Sequence, residues 1–169
     1  MFESITTDAE GRQNKLVRDA DDRVAQSTDL HNGQWVGMTY LYGAFGQLEH
    51  AVDPAGNTVH TVTDKLGRRV SLDDPDRGTT SWMYNAFGEV ETEIDALGDT
   101  TILHRDILGR VTSAAHSVHG VTKLGYDGAQ SPGQLGRLTS AQSPDGATTT
   151  YDYDPLGRLV RTTWATGDR

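Results

Sequence analysis

Two acidic runs, Asp19-Ala20-Asp21-Asp22 and Asp73-Asp74-Pro75-Asp76, and one close histidine pair, His116-Ser117-Val118-His119, are the residues whose types and spacing suit a cation. Carboxylate oxygens in such runs are calcium ligands, and paired imidazoles are zinc ligands. Neither acidic run continues into an EF-hand loop with its glycine and terminal glutamate. Each falls where a turn is expected, so aspartate that initiates turns is the better reading. His116 and His119 also fall in a turn, with no cysteine and no third ligand at readable spacing. His60 and His104 fit strand positions comparable to those of Tyr84 and Tyr151, as aromatics packed on a sheet. No metal and no cofactor is therefore assigned. The sequence contains no Gly-x-Ser-x-Gly elbow, P-loop or dinucleotide fingerprint, and no segment positions a carboxylate pair for glycoside hydrolysis. The expectation is a protein that is not an enzyme.

The remaining chemistry is stacking. Trp35, Trp82 and Trp164, with Tyr40, Tyr42, Tyr84, Tyr126, Tyr151 and Tyr153, would stack sugar rings if aligned on an open sheet. That arrangement describes a secreted or surface-displayed carbohydrate-binding or adhesion module. Against it, the aromatics recur in phase with a repeat, and large aromatics are favoured on sheets for packing alone.

The chain of 169 residues has a net charge of −9. This balance disfavours nucleic acid, whose phosphates need clustered Lys and Arg, and an anionic membrane surface. No apolar run is long enough to span a bilayer, so membrane insertion is not expected. Cysteine is absent, which removes disulfides and thiolate chemistry. The opening Met1-Phe2-Glu3-Ser4-Ile5 has no basic segment leading into an apolar core, so no signal peptide is read there.

The elements that must position these side chains are set by glycine. One series falls at Gly46, Gly67, Gly88, Gly109, Gly136 and Gly157, with separations of 21, 21, 21, 27 and 21. A second runs about midway and includes Gly11, Gly33, Gly56, Gly78, Gly98, Gly120, Gly146 and Gly167. In Asp53-Pro54-Ala55-Gly56 and Asp154-Pro155-Leu156-Gly157 the first residue suits the start of a type I turn and proline presets φ at the second. Glycine then supplies the left-handed residue of a G1 bulge. Asp22 stands where a glycine belongs and is among the few residues that tolerate that conformation.

Between turns lie stretches of about six or seven residues, the length of a strand. Glu89-Val90-Glu91-Thr92-Glu93-Ile94 alternates, with Val90, Thr92 and Ile94 on one face. The expected fold is all-β: a curled antiparallel sheet of consecutive ~21-residue β-hairpins. Residues 1–169 read as a single array of roughly seven repeats, with Gly46, Gly56, Gly67, Gly88, Gly98, Gly109, Gly136, Gly146 and Gly157 as its structural turn residues. A longer loop at 125–135, rich in Gly, Ser and Pro, is expected to leave strand pairing intact and to be exposed. Uncovered edge strands would invite self-association.

Tyr151-Asp152-Tyr153-Asp154-Pro155-Leu156-Gly157-Arg158-Leu159 resembles the consensus of RHS/YD repeats, in which a tyrosine-aspartate pair precedes x-x-Gly-Arg-Leu. Tyr126-Asp127 … Gly136-Arg137-Leu138 is similar to the variant with a longer turn. Tyr84-Asn85 … Gly88-Glu89-Val90, Arg105-Asp106 … Gly109-Arg110-Val111, Tyr42-Gly43 … Gly46-Gln47-Leu48 and Thr63-Asp64 … Gly67-Arg68 are degenerate units. The resemblance, to bacterial Rhs polymorphic toxins, Tc-toxin shells and teneurins, implies a β-spiral forming part of a hollow shell. It implies further repeats or an enclosed toxin cargo as partners, and secretion or delivery by a specialised system. The family's core protease and toxin domain have no counterpart in these residues, so self-cleavage and toxicity are not carried over.

Overall fold

A residue in the left-handed region reverses the chain about every ten residues, and the short segments between reversals are too glycine- and β-branched-rich for helix. The computed structural model describes residues 1–128 and 132–167. Its contacts divide the chain into two compact units, 1–81 and 82–169. The first contains β1 (Phe2–Thr7), β2 (Gln13–Arg18), β3 (Val24–His31), β4 (Gln34–Tyr42), β5 (Leu48–Val52), β6 (Thr58–Thr63) and β7 (Arg69–Asp74), and the start of β8 (Gly78–Tyr84). The second contains the end of β8 and then β9 (Val90–Ile94), β10 (Thr100–Arg105), β11 (Val111–His116) and β12 (Gly120–Tyr126). A 3-10 turn at Pro132–Gln134 precedes β13 (Leu138–Gln142), β14 (Thr148–Tyr153) and β15 (Leu159–Ala165). Strand order follows chain order, and the sheet is not closed. The expected all-β fold of consecutive antiparallel hairpins is what forms.

Within each unit the registers place residues as the alternation predicts. Thr92 and Ile94 pair with Ile102 and Thr100 on one face, and Glu93 pairs with Thr101 on the other. The hairpins fall into two kinds. Those ending in turns such as 43–46, 64–67, 106–109 and 154–157 carry a register shift just before the turn, at Leu41/Tyr42, Val62/Thr63, His104/Arg105 and Asp152/Tyr153. The hairpins that reverse on the opposite side, β5–β6 and β13–β14, pair without one. In each unit the bulges therefore line one side.

Burial is slight. Val17, at 6 % exposure, is the buried apolar side chain among the described residues, and no large side chain is fully buried. The accessible surface is 11623 Å², whereas a compact monomer of this mass exposes roughly 8,200 Å². Each unit is a single layer whose side chains are half-covered by their neighbours, so ladder hydrogen bonds and cross-strand pairs replace a core. On one face of the first unit, His50 and His60 stack with centroids 4.4 Å apart, and Lys15 lies 4.8 Å over the Trp35 ring.

The corners are left-handed throughout: φ at Gly46, Gly56, Gly67, Gly88, Gly98, Gly109, Gly136, Gly146 and Gly157 lies between 76° and 90°. Asp22 takes the glycine place with φ 61°, and its turn closes through Asp22 N–H to the Asp19 carbonyl at 3.3 Å. The β3–β4 connection is shorter than the others: Asn32 (φ 48°) and Gly33 (φ 79°) make a two-residue turn of the primed type that Asn-Gly favours. The lengthened loop does leave β12 and β13 paired. Residues 129–131 of it lie outside the described residues, and the expectation of exposure fails at Gly133 and at Gln134, which is 8 % exposed. Gly133 sits against the Asp154–Gly157 turn, with no room for a Cβ beside the Asp154 carbonyl.

Asp22 carries a backbone penalty that glycine would not, of about 1 kcal/mol, set against the greater entropy that glycine loses on folding. Asp22→Gly is expected to change stability to urea by less than about 1 kcal/mol, in contrast to the larger loss expected for Gly67→Val. A large destabilisation by Asp22→Gly would refute this account of the corner.

Candidate functional site

The side chains that do recurring work sit at the turns, at the bulged ones and at several on the opposite side. In 106–110 the backbone closes with Gly109 N–H to the Asp106 carbonyl at 3.0 Å and Asp106 N–H to the Arg110 carbonyl at 3.0 Å. The Asp106 carboxylate completes it: Oδ1 accepts from the N–H of Leu108 (2.9 Å) and of Arg110 (3.0 Å), and Oδ2 accepts from Arg110 Nε at 2.7 Å. The same clamp joins Asp8 to Arg12, Asp19 to Arg23, Asp64 to Arg68 and Asp154 to Arg158. Other side chains reach the same geometry. Asn57 replaces the arginine opposite Asp53, Asn85 donates to the Glu89 carboxylate, and at Gly43 it is Gln47 Oε1 that accepts from Phe45 N–H.

A second set of contacts links several bulged turns to the next within each unit. The Tyr126 hydroxyl donates to the Val111 carbonyl at 2.9 Å, Tyr42 to Val24 at 2.9 Å and Tyr153 to Leu138 at 2.8 Å. Each accepting residue directly follows the clamp position of the preceding turn, and that arginine covers the tyrosine ring. Arg23 lies 4.8 Å from the Tyr42 centroid, Arg110 4.5 Å from Tyr126 and Arg137 5.4 Å from Tyr153. Arg110 continues to Asp127, donating to both carboxylate oxygens at 3.1 and 2.6 Å. Where tyrosine is absent, Arg105 does its work, donating to the Val90 carbonyl at 3.2 Å and to Gly109 at 3.0 Å. The tyrosine, aspartate, glycine, arginine and leucine positions of the repeat thus each have a physical task. Glycine has a second one at Gly157, where a Cβ would collide with the Arg137 guanidinium.

This network sets the charges. Hydrogen bonding from Arg110 holds the Asp106 carboxyl below its ordinary value of 3.8 and, together with Asp127, raises Arg110. The backbone N–H of Arg158 does the same for Asp154. Asp8, Asp19, Asp53 and Asp64 are lowered as well.

The residues singled out for other chemistry are placed differently. Asp74 Oδ1 accepts from Asp76 and Arg77 N–H, and Arg23 bridges Asp19 and Asp21, so both acidic runs are turn structure. His116 Nδ1 accepts from the N–H of Val118 and His119, filling the role aspartate has elsewhere. Among the described residues no three His, Asp or Glu side chains converge as a metal site. The tryptophans have separate surroundings: Trp35 on β4 under Lys15, Trp82 on β8 donating to Glu93 at 3.0 Å, and Trp164 exposed on the edge strand β15. Sequence reasoning assigned the tyrosines to general packing and missed their hydroxyl bonds. The available signal was spacing, since Arg110 precedes Tyr126, and Arg137 precedes Tyr153, by 16 residues.

Residues 134–169 match the family model described as RHS Repeat. The chain has no match among curated proteins. Its fold is similar to the crystal structure of TcdB2-TccC3, with a TM-score of 0.58 and 14% identity over 92% of this chain and 12% of that one. TcdB2-TccC3 without its hypervariable C-terminal region gives 0.58 and 13%, over 93% and 12%. The Photorhabdus luminescens Tc holotoxin pore, with a mutation in TccC3, gives 0.57 and 14%, over 95% and 12%. The chain spans 12% of the length of these solved chains. Residues 134–169 are thus similar to an RHS repeat, and the solved structures show that the fold itself is shared over nearly the whole chain.

Two outcomes follow from the network. Tyr126→Phe or Tyr153→Phe keeps the ring under its arginine but leaves a carbonyl unpaired, and should cost about 1 kcal/mol in urea unfolding. The lowered carboxyls contribute stability that is full above their unfolded value of 3.8 and is lost as pH falls through their folded values. The melting temperature should therefore hold to about pH 4 and drop below it. Asp106→Asn should flatten that acid limb, and an unchanged limb would contradict the clamp.

Proposed function

We propose that this chain is wall: a non-enzymatic stretch of an RHS/YD-repeat shell of the kind that encloses a toxic cargo. The observation that carries the reading is the interlocked turn edge, in which clamp arginine, next tyrosine and intervening carbonyl bind one repeat to another. Such a device serves continuity of a surface rather than a reaction. The functional polar groups of the repeat face each other, and the turn glycines from Gly46 to Gly157 serve to fix register. Residues 1–169 act in this reading as one array without a toxin or protease domain of its own, and its partners are further repeats or the cargo. The likeness in fold to the Tc complexes supports the reading, because a one-layer sheet with two bare faces gains cover by winding round an interior.

The test is to extend the chain with its neighbouring coding sequence and image the product. Further Tyr-Asp … Gly-Arg-Leu units and a hollow particle that shields an enclosed segment from protease are expected. An open strip with a protease-sensitive interior would sink the proposal.

Terminal strands β1 and β15 are exposed along their length, so isolated chains should also pair edge to edge at high concentration. Light scattering should show that Thr6→Lys with Thr163→Lys reduces this growth, since charge on an edge strand opposes pairing. Growth unaffected by both changes would place the association elsewhere.

A further inference from the structure

His50 and His60 stand directly opposite each other on β5 and β6, within the first unit. The hairpin joining these strands closes through Asp53 N–H to the Asn57 carbonyl at 3.0 Å. Bonded and non-bonded pairs alternate from there along the antiparallel ladder, so Ala51 and Val59 form a bonded pair and His50 and His60 a non-bonded one. Non-bonded partners are the closer kind, with Cα atoms about 4.5 Å apart, and their side chains share a face. The two rings accordingly stack, with centroids 4.4 Å apart and planes inclined by 8°.

Packing alone leaves the ring nitrogens unused. Both histidines are half-buried, and among the described residues no hydrogen bond or ion pair engages either imidazole. The other close histidine pair is built differently. His116 Nδ1 accepts from the N–H of Val118 and His119, and its ring is inclined 31° to that of His119. That pair is committed to its turn, whereas His50 and His60 keep their nitrogens free on a rigid ladder.

We propose that His50 and His60 form a two-imidazole site for a divalent transition metal, copper(II) foremost. Imidazole suits copper, and among first-row divalent ions copper(II) binds a given nitrogen site most tightly. Metal–nitrogen bonds of ~2.0 Å place two nitrogens on one ion no more than about 4 Å apart. A small tilt of the ring tips, through the broad terminal torsion of histidine, brings stacked rings to that spacing. The backbone stays in place, because the Asp53 carboxylate holds the connection by accepting from Asn57 N–H and Nδ2, both at 2.8 Å. Asp73, opposite His60 on β7, adds negative charge to the same face, with Thr79 Oγ1 donating to it at 2.8 Å. Asp73 does not converge with the two rings as a third ligand, so water fills the remaining positions on the ion. The site belongs to one hairpin and holds whether or not the chain is part of a shell.

Cupric chloride titrated into the whole chain in a neutral, weakly coordinating buffer tests it. Calorimetry reads the affinity, and electron spin-echo spectroscopy counts the imidazoles on the ion. One ion per chain carrying two imidazoles is expected, a result that needs no variant. His50→Gln and His60→Gln should each weaken binding at least tenfold and leave a one-imidazole signal, with circular dichroism unchanged. His116→Gln with His119→Gln should shift the affinity less than twofold. An ion that prefers the folded ladder stabilises it, so saturating copper should raise the urea midpoint of the parent and leave that of His60→Gln in place. A parent chain that takes up no more copper than the His50→Gln/His60→Gln double variant would overturn the proposal. So would a parent signal from a single imidazole, or binding that is lost in the His116→Gln/His119→Gln variant instead.

Discussion

Without a core, this protein depends on satisfying its backbone at every reversal of direction. A lone two-stranded hairpin is marginal in water, and a left-handed corner adds a penalty unless glycine, asparagine or aspartate occupies it. The aspartate clamp meets both difficulties, because one carboxylate collects two amide protons that the corner leaves over and an arginine that holds it in place. Exposed ion pairs contribute little by themselves. Here the pair matters through where it leaves the guanidinium, over the next tyrosine ring. That ring's hydroxyl then takes up the carbonyl just past the clamp. Stability passes from repeat to repeat in this way, as in other linear arrays.

The same geometry is reached with several side chains, which is why the repeats look worn in sequence. Asn85 opposite Glu89 inverts the donor and acceptor of Asp106 opposite Arg110. Arg105 supplies from a longer arm the carbonyl contact that Tyr126 makes with its hydroxyl. His116 caps its own turn through a ring nitrogen. What is held constant is a hydrogen-bond pattern, and residue identity varies around it wherever another group reaches the same atoms.

That distinction explains what the sequence made legible. Corners and strands could be read because glycine spacing and alternation act locally, within ten or so residues, and proline and aspartate mark the type of turn. The contact between Arg110 and Tyr126 could not be read the same way, since it is set by which strands lie side by side. The covered position of Gln134 was missed for a similar reason: a Gly/Ser/Pro-rich loop predicts exposure, and only the neighbouring Asp154 turn gives it something to fold against. The Asn32-Gly33 turn was visible as a dipeptide but was absorbed into the wider glycine series. At the acidic runs the carboxylates cap turns, and the three tryptophans lie in separate surroundings, neither of which residue type alone reveals.

The bulges lie along one side of each unit, and Tyr42, Tyr126 and Tyr153 each reach back across one whole hairpin. Loss or gain of a single strand would therefore send every later bulged turn to the wrong side and strand each ring away from its guanidinium. Loss or gain of a strand pair leaves all of these relations intact. Such a chain can change length by evolution or by engineering only in even steps, and the natural unit of insertion or deletion is the hairpin.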